Sequence, residues 1–137
     1  ILSSMRMCAN VPCQSAIQTA LGGYQSIDDL VKENGRLRIQ RDVTTDMLNG
    51  IDGISCVKPK GAMYCFAKVD EKKFNIQNDE QMVLDLLSSE KILLVHGRAF
   101  NLTEGTYFRL VFLPHSDVLV PALHRIGNFF RTYKQGA

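Results

Sequence analysis

One arginine sits inside an apolar run, Tyr107-Phe108-Arg109-Leu110-Val111-Phe112-Leu113, and it limits what this chain can fold into. The run is too short for a typical helix and rich in aromatic and β-branched side chains, so it reads as a buried strand. Arginine keeps its proton inside proteins, so burial cannot neutralise it and the guanidinium needs an anion. Its planar fork of donors fits a carboxylate or a phosphate through two parallel hydrogen bonds. The residues alone leave three answers open. Either an Asp or Glu of the same fold answers the charge, or the head snorkels to the strand's edge; otherwise the anion is a ligand.

The chain has 137 residues, of which 45% are hydrophobic, enough for one domain with a real core. A formal net charge of +2 without a block of like charges implies no nucleic-acid surface. No apolar stretch is long enough to span a membrane, and no signal peptide is recognisable. Cys8, Cys13, Cys56 and Cys65 form neither a C-x-x-C pair nor a zinc spacing. They read as reduced thiols of a cytoplasmic protein that binds no metal. The chain opens Ile1-Leu2-Ser3-Ser4, without an initiator methionine, and is expected to be a piece of a longer protein.

Apolar spacing predicts a helix over 11–21, with Pro12 in its first turn and Gly22-Gly23 after its end. Ser26 is expected to cap a second helix, and Asn34-Gly35 to break it. A stripe of Leu37, Gln40, Val43, Met47, Leu48 and Ile51 then runs to Asn49-Gly50. Strands are predicted over 54–58 and 62–69, joined by a tight turn at Pro59-Lys60-Gly61. Asn78 and Gln81 have capping-box spacing at the start of the next helix. A short strand follows over 92–95, ended by Gly97, and then the Arg109 strand. Ser116-Asp117 opens a last helix whose face holds Leu119, Leu123, Ile126, Phe130 and Tyr133; Pro121 lies deep for a helix start. The order predicts an α/β (α+β) fold: a small, mostly antiparallel sheet packed with helices over 51–137, preceded by connecting helices over 1–50.

Three short motifs fall in order along this plan. Pro59-Lys60-Gly61-Ala62-Met63-Tyr64-Cys65-Phe66 is a turn with an aromatic strand, Val95-His96-Gly97-Arg98-Ala99-Phe100 a strand end with a glycine bend, and Phe108-Arg109-Leu110 the charged strand. With Asn10-Val11-Pro12 and Gln14-Ser15-Ala16, they make the chain resemble the C-terminal small domain of class I/II, fold-type I aminotransferases. The resemblance is nearest to the bacterial alanine aminotransferase-like branch, which pairs alanine and pyruvate with glutamate and 2-oxoglutarate.

The resemblance implies that Arg109 binds the α-carboxylate of an amino-acid substrate. Phe100 would lie in a loop near the substrate, and Gly61 and Gly97 would be backbone positions, each permitting positive φ or close approach to ligand, or serving only as a turn glycine. Tyr64 and Phe66 are expected in the core. His96 stands where many relatives carry proline, and it either approaches substrate or replaces the proline for local reasons; His115 and His124 are assigned no chemistry. The family's cofactor, pyridoxal 5'-phosphate, would be held through a lysine of a large domain that precedes this segment. None of Lys32, Lys58, Lys60, Lys68, Lys72, Lys73, Lys91 and Lys134 stands in that lysine's context, and no glycine-rich phosphate cradle is present. The chain is therefore expected to carry no catalytic or cofactor-binding residue and to be inactive alone. Its implied partners are an L-amino acid, a 2-oxo acid, its own large domain and a second subunit. Another fold-type I activity, a C–S lyase or an aminocyclopropane-carboxylate synthase, is an alternative reading, as is a non-catalytic module that binds amino acids.

Overall fold

The computed structural model describes residues 8–136. The opening residues Ile1-Leu2-Ser3-Ser4 lie outside the described residues. Helix α1 spans Val11–Gly22, with Pro12 in its first turn and the Asn10 side chain accepting from Cys13 N–H at 3.2 Å. Helix α2 spans Ser26–Val31. Its cap position is Gln25 rather than Ser26, and no side chain caps it, because Ser26 already has helical backbone. Helix α3 spans Arg36–Asn49. Strand β1 is Ile54–Cys56 and β2 is Tyr64–Val69. Helices α4, Glu71–Phe74, and α5, Asp79–Glu90, follow. Strand β3 is Val95–His96, a 3-10 turn covers Gly97–Phe100, and β4 is Thr106–Val111. Helix α6, Ser116–Thr132, closes the fold.

The four strands form one antiparallel sheet in the order β1-β2-β4-β3. Helices α3, α5 and α6 pack together and against one face of it. The predicted tight turn between β1 and β2 is instead an irregular loop over 57–63. Ala62 adopts φ +55° there, which delays the second strand to Tyr64. The predicted strand over 92–95 pairs with β4 only at Val95 and His96. Short α4 carried no apolar repeat to announce it; Asp70 caps it by accepting from Lys72 and Lys73 N–H.

The sheet's helix-covered face carries Cys65, Ala67 and Val69 of β2 and Thr106, Phe108 and Leu110 of β4, all buried. Opposite them α6 presents Leu119, Leu123, Ile126 and Phe130, spaced at helical period along one stripe. Pro121 interrupts this helix from its exposed side, so its ring stays out of the core. Phe74, Phe130 and Phe108 form a chain of rings with centroids 5.1 and 6.1 Å apart. Burying each such side chain contributes on the order of 1.5–3 kcal/mol. No helix among the described residues is long and apolar enough to cross a membrane.

Asn78 caps α5 by accepting from Glu80 and Gln81 N–H at 2.9 and 3.2 Å. The reciprocal half of the expected capping box is missing, because Gln81 turns to Asp85 and the Asn78 N–H donates to Gln135 Oε1 at 2.8 Å. Gln135 is buried, accepts also from Gln77 N–H, and donates through Nε2 to Asn78 O at 2.8 Å. One C-terminal amide thus fastens the residues after α6 to the α4–α5 loop. Gln135→Ala strands two backbone donors, and the expected loss is about 1–3 kcal/mol in urea unfolding; an unchanged midpoint would show the amide to be idle.

Candidate functional site

Antiparallel partners share a face of their sheet, so the register of β2 and β4 defines a second surface. Tyr64 faces Val111, Phe66 faces Arg109, and Lys68 faces Tyr107; on the other side of β4, Val95 faces Arg109. No α-helix among the described residues covers this side, and Tyr64 and Phe66 are 40% and 36% exposed. The Arg109 strand is therefore not buried on both faces: every second residue faces helices, and Arg109 lies on the open side, half-buried. Tyr64 and Phe66 are not core residues either. The small side chains Cys65 and Ala67 fill the space under the helices, and the alternation then turns the rings outward.

The Arg109 guanidinium carbon stands 4.6 Å from the Tyr64 ring centroid and 4.5 Å from that of Phe100. Phe66 meets Phe100 edge-on at 5.8 Å and stacks on Tyr107 at 5.4 Å, so the rings around the cation support one another. Cation–π contact stabilises the charge by about 0.5–2 kcal/mol at each ring but supplies no hydrogen-bond acceptor. No Asp or Glu among the described residues lies within 4.0 Å of Arg109. Its Nε is buried without a hydrogen-bond partner among the described residues, so the cation is oriented and partly desolvated with that donor unused.

Phe100, read from sequence as lying near the ligand, borders Arg109 directly. Gly97 and Gly61 separate. A Cβ on Gly97 would meet Tyr107 Cβ at 3.1 Å and Tyr107 O at 3.4 Å, so the glycine allows the 3-10 turn to lie against β4. Gly61 has open space around it and no positive φ, which falls on Ala62 instead. Its surroundings are a cleft of about 350 Å³ lined by Arg38, Arg41, Lys60 and Met63, with none of the Arg109 cluster. His96 pairs with Phe108 and so turns to the helix side, with Nδ1 3.8 Å from Asp79 Oδ2. Asp79 itself escaped the sequence reading. An acid in a first helical turn carries no signal that its carboxylate will be only 3% exposed and accept from the Arg98 N–H at 3.0 Å.

The strands' open face carries one lysine, Lys68, whose Nζ leans over Tyr107 at 6.0 Å from the centroid.

With this geometry in place, comparison with known proteins gives the family. A profile of "Aminotransferase class I and II" matches residues 2–126, and the chain belongs to that family. A "Glutamate-pyruvate aminotransferase AlaA" from Haemophilus influenzae is 55% identical over 135 residues, covering 98% of this chain and 33% of that protein. An "Alanine aminotransferase" from Mycobacterium tuberculosis is 53% identical, with 98% and 32% covered. Among solved structures, an aminotransferase from Escherichia coli superposes with TM-score 0.86 at 52% identity, covering 98% of this chain and 33% of that one. The alanine aminotransferase of Pyrococcus furiosus gives 0.75 at 36% identity, with 95% and 32% covered. The chain spans about a third of the length of the relatives it matches. The expected fold class, a small antiparallel sheet packed with helices, is the one observed.

The two glycines should respond oppositely. Gly97→Ala presses on the backbone of β4 and is expected to destabilise by about 1–3 kcal/mol, whereas Gly61→Ala should stay within about 0.5 kcal/mol of wild type. Thermal melts of both variants test the contrast, and equal losses would contradict it.

Proposed function

We propose that this chain is the small-domain part of an aminotransferase that moves an amino group between an L-amino acid, alanine or glutamate, and a 2-oxo acid. Arg109 is its substrate-carboxylate receptor. The observation that carries the reading is a guanidinium held between Tyr64 and Phe100, with no acid within 4.0 Å among the described residues and a buried Nε lacking a partner. Substrate range comes from the relatives, whose names include glutamate-pyruvate and alanine aminotransferases.

Arg109 binds and orients. A bidentate pair fixes the carboxylate in the plane of the guanidinium, and the bonds at Cα follow from that plane. The aromatic surround lowers the local dielectric, so the same charge attracts more strongly than it would in open water. Pyridoxal 5'-phosphate belongs in this reading to a large domain, which also faces the open side of the sheet and completes the pocket. Residues 1–50 connect to that domain: α1 buries none of its residues and exposes Val11, Ile17 and Leu21, while α3 runs into the core at Leu48. Gly61 stays in the reading only as part of the β1–β2 loop, at the cleft it lines. A homodimeric, cytoplasmic enzyme fits the family and the unpaired cysteines, of which Cys56 and Cys65 are buried.

In the full-length enzyme, Arg109→Ala is expected to raise KM for the amino acid about 100-fold or more, since it removes a charge-assisted bidentate pair. Arg109→Lys should recover only part of the loss, because a point charge cannot reproduce the fork. Cofactor absorbance should remain in both variants. Unchanged KM in Arg109→Ala would remove this residue from the substrate site. Incubation with alanine and 2-oxoglutarate, followed by product analysis, separates transamination from lyase chemistry: pyruvate and glutamate in equal amounts are expected, and ammonia release would contradict the reading.

A further inference from the structure

We propose that Asp79 is a positioning residue for Arg109 and acts through the turn that carries Phe100. The inference rests on the reading of Arg109 as the carboxylate receptor and adds what sets that receptor's direction. With its centroid 4.5 Å from the guanidinium carbon, the Phe100 ring decides where the guanidinium can lie. Burial does not hold Phe100, which is 43% exposed. Phe66 meets its ring edge-on at 5.8 Å, and the Gly97–Phe100 turn sets where its backbone stands, so what fixes that turn helps to fix the cation.

Two contacts fix it. Gly97 is buried against Tyr107, as its missing side chain requires. Asp79, at the start of α5, takes the Arg98 N–H on Oδ2 at 3.0 Å and has Arg98 Nε 3.5 Å from Oδ1. The carboxylate is buried with Oδ1 lacking a hydrogen-bond partner among the described residues, so the Arg98 N–H on Oδ2 is the hydrogen bond that offsets its burial. Capping does not explain it, because Asn78 already accepts the first-turn N–H groups of α5. Asp79 is therefore free to face outward from the helix start, and it faces the turn. The link runs from α5 through Asp79 to the Arg98 backbone, along the turn to Phe100, and across its ring to Arg109. Asp79 touches neither Arg109 nor the open face, which separates positioning from binding.

A double-mutant cycle in the full-length holoenzyme tests this. Phe100→Ala and Asp79→Ala should each raise KM for the amino acid about 5- to 10-fold and leave kcat within about twofold, and the double variant should be no worse than the poorer single one, as for residues acting along one link. Asp79→Asn keeps an acceptor for the Arg98 N–H and should restore most of the affinity. Arg98→Pro removes the same hydrogen bond from the other side, at a turn position whose helical backbone suits proline, and should reproduce the KM effect even if Asp79→Ala does not fold. Wild-type KM in Arg98→Pro, or Asp79 and Phe100 effects that multiply in the double variant, would overturn the proposal. Arg109→Ala is measured alongside. If it raises KM while the Asp79, Arg98 and Phe100 variants do not, only the positioning role falls; if it too leaves KM unchanged, the carboxylate reading falls and takes this inference with it.

Discussion

A permanent positive charge with no Asp or Glu within 4.0 Å among the described residues organises the open face of this sheet. Arg109 cannot neutralise itself, and its half-buried position strips away part of the water that would otherwise satisfy it. Tyr64 and Phe100 offer their ring faces, which attract the cation without using its hydrogen-bond donors. The buried Nε is left without a hydrogen-bond partner among the described residues. An internal ion pair would have stabilised the charge and closed the site together. Its absence among the described residues is what the proposed carboxylate role of Arg109 rests on.

The fold produces this arrangement by dividing one sheet between two tasks. Helices α3, α5 and α6 cover the side carrying Cys65, Ala67, Phe108 and Leu110, and hydrophobic burial there holds the strands in register. Because side chains alternate, that register sets Phe66 opposite Arg109 and Lys68 opposite Tyr107 on the uncovered side. A slip of one residue would exchange the two faces and bury the cation. Stability and site geometry are therefore one constraint, read from opposite sides of the same four strands. In the proposed reading, a ligand held on the open face has its second wall supplied from outside this sheet. A chain spanning a third of its relatives' length is consistent with that wall coming from elsewhere in a longer protein.

Much of this was legible in the residues, and the failures have physical causes. Helix α6 announced itself through a stripe at helical period, and the Arg109 strand through its aromatic and β-branched run. The facing of β2 was misread. Periodicity of two defines two faces without saying which is inside, and large rings were assigned to the core although Cys65 and Ala67 fit the tighter space. The turn at Pro59-Lys60-Gly61 was expected tight because proline and glycine favour turns, but Ala62 takes the left-handed conformation and lengthens the loop. Asp79 and Gln135 were invisible for another reason. Their roles depend on backbone groups distant in sequence, Arg98 N–H and Gln77 N–H, which only the folded chain brings near.

The account is tested most directly by a structure of the full-length protein with a non-reactive amino-acid analogue bound. It predicts the analogue's carboxylate oxygens within about 3 Å of Arg109 nitrogens, in the guanidinium plane and between the Tyr64 and Phe100 rings. A carboxylate bound elsewhere, with Arg109 clasped by an Asp or Glu from another part of the protein, would contradict it.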